Sequence, residues 1–188
     1  GDSSSGGFPL KMAWAAVRQR GNVSSIDSRI WSGLIPLEIS FFVWKVLRRM
    51  VPVDTILQNR GFSLASCCVC CSAHPASLSH LLIDGPVAAQ VWEHFLKRLG
   101  IVGPRPRSVA AMCLAWFLSS SCMGREHIRV LLPCTVLWIL WKGRNRARFD
   151  GETFSARRVI CMVEQFMVQL GRAKIFQSEH FKGDSEDP

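Results

Sequence analysis

Hydrophobic residues recur every three or four positions along most of the chain, which is the spacing of an amphipathic helix. This pattern predicts helices over residues 8–20, 28–34, 40–50, 55–60, 86–99, 109–118, 126–149 and 155–176. Sustained alternation of apolar and polar residues, the mark of a half-buried strand, is scarce. We therefore expect a mainly α fold.

Proline and glycine indicate where several of these helices end. Pro52 stops the apolar helix 40–50, and Gly61 follows the short helix 55–60. Pro133 either kinks the helix 126–149 or marks its true start. Residues 100–108 contain two further prolines and form the clearest linker. The predicted organisation is a disordered start, a helical domain, the linker, a helical region and an acidic disordered tail, over 1–7, 8–99, 100–108, 109–176 and 177–188.

Composition excludes several classes of protein. The 188 residues are 48% hydrophobic, which is too apolar for a fully disordered chain, and 14 Gly and 9 Pro show no period. The formal net charge is +9, with 14 basic and 4 acidic residues between Lys97 and Lys174. A basic, Trp-rich chain favours nucleic acid as a partner over an acidic small molecule.

Two groups of basic residues are candidate nucleic-acid contacts. The first lies at i, i+3 and i+4 of the helix 40–50, and the second lies near Trp138 and Trp141, which offer stacking surfaces. The alternative interpretation is that the tryptophans are core residues and the basic side chains are a solvated face. The two groups are Lys45, Arg48 and Arg49, and Lys142, Arg144, Arg146 and Arg148.

Four cysteines lie within five residues, and two histidines follow them. Cys67, Cys68, Cys70 and Cys71 form two overlapping Cys-x-x-Cys pairs, ahead of His74 and His80. A Cys-x-x-Cys turn lets two thiolates bind one tetrahedral zinc ion, so we expect a zinc-knuckle-like loop. A thiol oxidoreductase is a weaker alternative, because no βαβ pattern surrounds the pair.

The other four cysteines, Cys113, Cys122, Cys134 and Cys161, stand alone in apolar surroundings, and we expect them to be buried. This usage is unlike a secreted disulfide framework and indicates an intracellular location, with the nucleus as one candidate.

Neither apolar stretch of the second half predicts a membrane span. Residues 108–124 are interrupted by serines, and residues 130–141 fall short of the roughly 20 apolar residues that a spanning helix needs. We expect buried helices and no membrane partner. The first residue is not Met, so we also expect a fragment, a processed piece or an incomplete gene model.

The first half resembles a known family. From about Phe8 to Phe95 the chain is similar to the zinc-binding domain that follows reverse transcriptase in plant LINE-type (non-LTR) retrotransposon polyproteins. The motifs that match it in order and spacing are Ile30-Trp31, Pro36, the aromatic run 40–45, Asn59-Arg60-Gly61, Cys68 and Cys71, His80-Leu81-Leu82, and Trp92.

The second half extends this resemblance. Trp138-Ile139-Leu140-Trp141-Lys142-Gly143-Arg144-Asn145 resembles a signature of the helical region that precedes the RNase H-like domain in such polyproteins. The acidic metal-binding sets of a polymerase or an RNase H are absent from the sequence, and no Ser/His/Asp set or phosphate loop is present. We therefore expect a non-catalytic chain without a small-molecule substrate.

The resemblance also implies a set of metal ligands. It assigns zinc to Cys68, Cys71 and His80, but its fourth thiolate falls on Gly85. We expect a degenerate site unless Cys67, Cys70, His74 or water substitutes. The implied function is a nucleic-acid-binding module for RNA or DNA. The alternative is a retroelement relic that keeps a helical fold without a selected activity.

Overall fold

The computed structural model describes residues 24–102, 106–119 and 126–183. Regular structure in these residues is helical, without strands, which confirms the predicted mainly α fold with a Cys/His loop. A single π turn, His80–Asp84, precedes the fourth α-helix. The helices are α1 (Ser25–Ile30), α2 (Leu37–Leu47), α3 (Asp54–Asn59), α4 (Pro86–Arg98), α5 (Val109–Phe117), α6 (Glu126–Phe149) and α7 (Ala156–Gly183).

Local capping moves some helix bounds from those that periodicity predicts. Helix α1 begins earlier than expected because the Ser24 hydroxyl accepts a hydrogen bond from the Ile26 amide at 3.2 Å. Helix α2 begins at Leu37 because the carbonyl of Pro36 accepts from the amides of Ile39 and Ser40, at 3.0 and 3.1 Å. Helix α6 matches its predicted bounds and contains Pro133.

Some predicted segments differ from the structure or lie outside it. Helix α7 continues to Gly183, beyond the predicted end at residue 176, so part of the expected disordered tail is helical. The predicted disordered start, the predicted helix 8–20 and residues 184–188 lie outside the described residues.

One hydrophobic core includes buried residues from both sides of the linker. Helix α6 packs against α2, α5, α7 and the π turn. Trp92 of α4 and Trp116 of α5 are fully buried with ring centroids 6.1 Å apart. The Trp92 indole nitrogen donates to the Leu82 carbonyl of the π turn at 2.7 Å. The Cys/His loop therefore rests on a core that both halves of the chain build.

Among the isolated cysteines, Cys113 and Cys134 are buried as expected, but Cys161 is exposed on α7. The expectation of burial was wrong for Cys161 because it lies on the outer side of that helix, whereas Val159 and Val163 face the core. Cys122 lies outside the described residues. No helix in the described ranges has both the length and the apolar character needed to cross a bilayer.

A buried ion pair joins α3 to α6. Asp54, at the start of α3, is 1% exposed, and its Oδ1 accepts hydrogen bonds from the guanidinium groups of Arg144 and Arg148. The Arg144 contact measures 3.3 Å, and burial lowers the pKa of Arg144 from its usual value. Removing one partner would leave the other charge uncompensated in a low dielectric. The ion pair therefore holds the start of α3 against α6.

Asp54→Ala is expected to lower the free energy of unfolding by about 3–5 kcal/mol, because it leaves the buried Arg144 and the partly exposed Arg148 without their carboxylate. Urea denaturation measures this loss. The matched control is Asp27→Ala, whose carboxylate pairs with the exposed Arg48 at 3.7 Å. That surface pair contributes less than about 1 kcal/mol. Equal effects of the two substitutions would contradict a structural role for the buried pair.

Candidate metal centre and nucleic-acid interface

The Cys-rich segment folds into a tight knuckle between α3 and the π turn. The Cys68 carbonyl accepts from the Ser72 amide at 2.9 Å, and the Cys68 amide donates to the His74 carbonyl at 2.8 Å. Ser72 has a φ of 51°, in the left-handed region, and this conformation reverses the chain direction directly after Cys71. These contacts turn Cys68 and Cys71 toward the same side of the loop.

Three potential ligands converge at this knuckle. One donor atom each from Cys68, Cys71 and His80 lies within 4.8 Å of the other two, and Cys71 Sγ is 3.3 Å from His80 Nε2. Zinc bonds of about 2.0–2.3 Å in a tetrahedron place neighbouring donors roughly 3.5 Å apart, so this donor set fits zinc. Asp84 Oδ1 lies 3.9 Å from the other ring nitrogen of His80. That separation is longer than a hydrogen bond, so the two side chains are neighbours without a direct bond.

The surroundings of two cysteines shift their thiol pKa values in opposite directions. A hydrogen bond from the Ala73 backbone, helped by His74 and His80, lowers the pKa of Cys71 to about 6. Burial, followed by the neighbouring Cys68, raises the pKa of Cys70 to about 12. Cys71 is therefore favoured as a thiolate, which is the form that binds metal.

The chain has no room for a side chain at Gly85. The Gly85 amide donates to the His80 carbonyl at 2.8 Å, which closes the π turn. A Cβ atom at Gly85 would lie 2.2 Å from that same carbonyl oxygen. Backbone atoms cannot yield as a flexible side chain can, so the π turn requires glycine here. The position where the resemblance expects a fourth thiolate is closed by local backbone geometry.

The three possible substitutes differ in their placement. Cys67 is exposed, and its sulfur lies 3.9 Å from the Cys68 carbonyl oxygen. Cys70 Sγ lies 3.3 Å from Cys68 Sγ. His74 Nδ1 lies 3.7 Å from Cys71 Sγ, and its ring stacks on that of His80 at a centroid distance of 5.0 Å. Cys70 and His74 therefore lie beside the donor set.

The first group of basic residues does not share a helix face. Helix α2 ends at Leu47, so only Lys45 lies on it, exposed. Arg48 follows as the cap, where it pairs with Asp27 at 3.7 Å and lies 5.1 Å from the Trp44 ring. Arg49 has a φ of 54°. The expected common face was wrong because the helix terminates before both arginines.

The second group divides between the interior and the surface. Arg144 is 4% exposed and bound to Asp54, which corrects its assignment as a nucleic-acid contact, since its guanidinium faces the interior. Arg148 contacts the same carboxylate and is partly exposed. Lys142 and Arg146 instead line an open groove of about 310 Å³. The other residues of this groove are Trp138, Trp141, Asn145, Phe149 and Asp150.

The two tryptophans form the floor of this groove. Their rings pack on the buried Phe42 of α2, with centroids 5.2 Å away for Trp138 and 5.9 Å for Trp141. Each ring stays partly accessible, and Phe149 at the end of α6 is 73% exposed. The Lys142 ammonium lies 5.6 Å from the centre of the Trp138 ring. Half-buried aromatic rings beside two cations define a candidate surface for stacking bases.

A helical core with a Cys/His loop that could hold a metal ion is the class of protein that the fold and the site define. Residues 8–92, slightly less than half of the chain, match the family described as zinc-binding in reverse transcriptase. The zinc-binding domain of that family is a non-catalytic part of reverse transcriptase.

A curated relative extends the similarity into the second half. The chain is 23% identical over 178 residues to an Arabidopsis thaliana protein named "Putative ribonuclease H protein". The match covers 91% of this chain and 28% of the relative, so the chain spans less than a third of that protein. No solved structure matches significantly. Together the two matches support a retroelement-derived module, and the LINE class stays a prediction.

Gly85→Ala is expected to lower the free energy of unfolding by about 1–3 kcal/mol, because the new methyl group overlaps the His80 carbonyl. Thermal denaturation without added metal measures the loss. Gly33→Ala is the control, since a Cβ there meets nothing within 4 Å, and its effect should stay below about 1 kcal/mol. A Gly85 variant as stable as wild type would contradict the proposed need for glycine in the π turn.

Proposed function

We propose that this chain is a non-catalytic module that binds single-stranded RNA or DNA through the groove on α6. The observation that supports it is the combination of Trp138, Trp141 and Phe149 with Lys142 and Arg146 in one open groove. Nucleic acids present flat bases and a line of phosphates, and this groove offers a partner for each.

The groove carries two cations, Lys142 and Arg146, and one acidic residue, Asp150. Arg146 Nη1 also lies 4.0 Å from the sulfur of Met162. Within the described residues, no carboxylate forms an ion pair with Lys142 or Arg146, whereas Arg98 and Arg158 each pair with a glutamate. Lys142 and Arg146 lie four residues apart, so they share one face of α6. Phosphate contacts from this face give an affinity that falls as salt concentration rises.

Replacing both groove cations, as Lys142→Ala with Arg146→Ala, is expected to weaken binding of a single-stranded oligonucleotide. Each lost phosphate contact should reduce the slope of log K against log salt by about 0.7. Fluorescence anisotropy over a salt series measures both changes. The matched control is Lys97→Ala with Arg98→Ala, which removes the same charge from exposed positions on α4.

An equal effect of the two double variants would show that binding follows net charge and would refute the groove. Wild-type protein that fails to bind RNA or DNA at low salt would favour the alternative, a retroelement relic. The observation that favours this alternative is that residue 85, where the resemblance expects a fourth thiolate, is a glycine without room for a side chain.

We further propose that the Cys/His loop binds zinc through Cys68, Cys71, His80 and, as fourth ligand, Cys70. Zinc would supply a structural crosslink between the knuckle and the π turn. Cys70 Sγ already lies 3.3 Å from Cys68 Sγ, and the backbone of Val87 in the first turn of α4 counters part of the rise in its pKa. That turn directly follows Gly85, so Cys70 brings a thiolate close to the position that the glycine leaves empty.

Cys70 is favoured over His74 by its surroundings. His74 is exposed, whereas Cys70 is partly buried against Cys68, and structural zinc sites are closed to solvent. The high pKa of the Cys70 thiol reflects burial beside other sulfurs, and a divalent cation would reverse that effect by binding the thiolate directly.

Cobalt(II) substitution tests this ligand set, because sulfur-to-cobalt charge-transfer absorption scales with the number of thiolates. Wild type is expected to show three thiolates, and Cys70→Ser two, with zinc affinity lower by at least about tenfold. His74→Ala is the matched control and should retain three thiolates. Two thiolates in wild type together with loss of metal in His74→Ala would assign the fourth position to His74 instead.

A further inference from the structure

The C-terminus of α2 places an arginine at a position that favours glycine. The Arg49 amide donates to the Val46 carbonyl at 3.0 Å, and the Met50 amide donates to the Lys45 carbonyl at 2.8 Å. These two bonds form a Schellman motif, whose penultimate residue adopts the left-handed conformation. Arg49 is that residue, with a φ of 54°. A residue with a Cβ pays a conformational penalty there.

Two other helices of this protein end in the same way but with glycine. Gly61 lies two residues after the end of α3, with a φ of 89° and a bond of 3.1 Å from the Phe62 amide to the Leu57 carbonyl. Gly100 lies two residues after the end of α4, with a φ of 65° and a bond of 2.9 Å from the Ile101 amide to the Leu96 carbonyl. Arg49, which follows the end of α2, therefore departs from the glycine that the chain uses at the other two helix ends. Backbone strain of this kind is commonly kept where the side chain has a function.

The Arg49 side chain lines a cavity of about 560 Å³. Arg107 also lines it, and no acidic residue contributes to the wall. Among the described residues, neither arginine forms an ion pair with a carboxylate. Hydroxyl groups of Thr55, Ser77, Ser79 and Ser108 complete the polar part of the wall. Two arginines with several hydroxyls and no acidic neighbour are complementary to a phosphate group.

The remaining residues of the wall are largely apolar. They are aliphatic side chains of α2, α3 and α5, together with Leu78, and Asn59 adds one amide. An amide can accept from and donate to the edge of a nucleobase. The volume lies within the roughly 300–1,000 Å³ of small-molecule sites. The cavity therefore offers a partner for each part of a nucleotide.

We propose that this cavity binds one nucleoside 5′-monophosphate unit, with its phosphate on Arg49 and Arg107 and its base against the apolar wall. The unit is either a free nucleotide or the 5′-phosphorylated end of a strand. The site uses none of the groove residues of α6, so a test of nucleotide binding in this cavity is independent of a test of the proposed groove.

Arg49→Gly is the sharpest test, because it removes the phosphate contact while relieving the backbone strain. The melting temperature is expected to rise, so loss of binding cannot be ascribed to misfolding. Isothermal titration with adenosine 5′-monophosphate should show an affinity lower by at least about tenfold, the effect of losing a charge-assisted hydrogen bond. Arg107→Ala should weaken binding similarly. The groove variant Lys142→Ala with Arg146→Ala should leave it unchanged.

Three further ligands complete the binding experiment. Inorganic phosphate alone should bind more weakly than the nucleotide, because it lacks the base. Oligonucleotides with and without a 5′-phosphate, compared in the groove variant, distinguish the end of a strand from a free nucleotide. The proposal is overturned if wild type does not bind the nucleotide at millimolar concentration, if Arg49→Gly binds it as wild type does, or if inorganic phosphate binds equally well.

Discussion

The buried carboxylate of Asp54 is the interaction on which much of the remaining structure depends. It begins α3, the helix that leads into the Cys/His loop, and it is bound by two arginines from α6. A buried charge must be compensated, so α3 and α6 cannot separate without a large electrostatic cost. The Cys/His loop that follows α3 and the groove on α6 therefore both depend on this ion pair for their positions.

The position of Asp54 also divides the basic residues of α6 into two pairs. Four cations lie at alternate positions, and alternate positions on a helix point to opposite sides. Arg144 and Arg148 therefore face Asp54, whereas Lys142 and Arg146 face the groove. Arg144 also lies 5.4 Å from the Trp141 ring, which helps hold that ring in place. The four basic residues look like one patch in the sequence. Helix geometry divides them into a pair that binds Asp54 and a pair that lines the groove.

Periodicity was sufficient to predict most helices, because their apolar faces are continuous and their ends are marked by proline or glycine. It was insufficient where a backbone conformation departs from the regular helix. The π turn at 80–84 is closed by a hydrogen bond that the Gly85 amide donates, and Arg49 occupies a left-handed position without a sequence signal. The candidate ligands Cys68, Cys71 and His80 were predictable from spacing and resemblance, and the structure brings them together. The burial of Arg144 could have been anticipated only by pairing it with Asp54, ninety residues away.

The π turn also constrains how this sequence can change in evolution. Gly85 permits the His80 carbonyl to close the wider turn, and a Cβ at this position would collide with that carbonyl. A cysteine at residue 85 would therefore require the turn to rewind at the same time, and each step alone is unfavourable. Selection on a metal site in this loop would for that reason operate on the neighbouring cysteines and histidines rather than on residue 85.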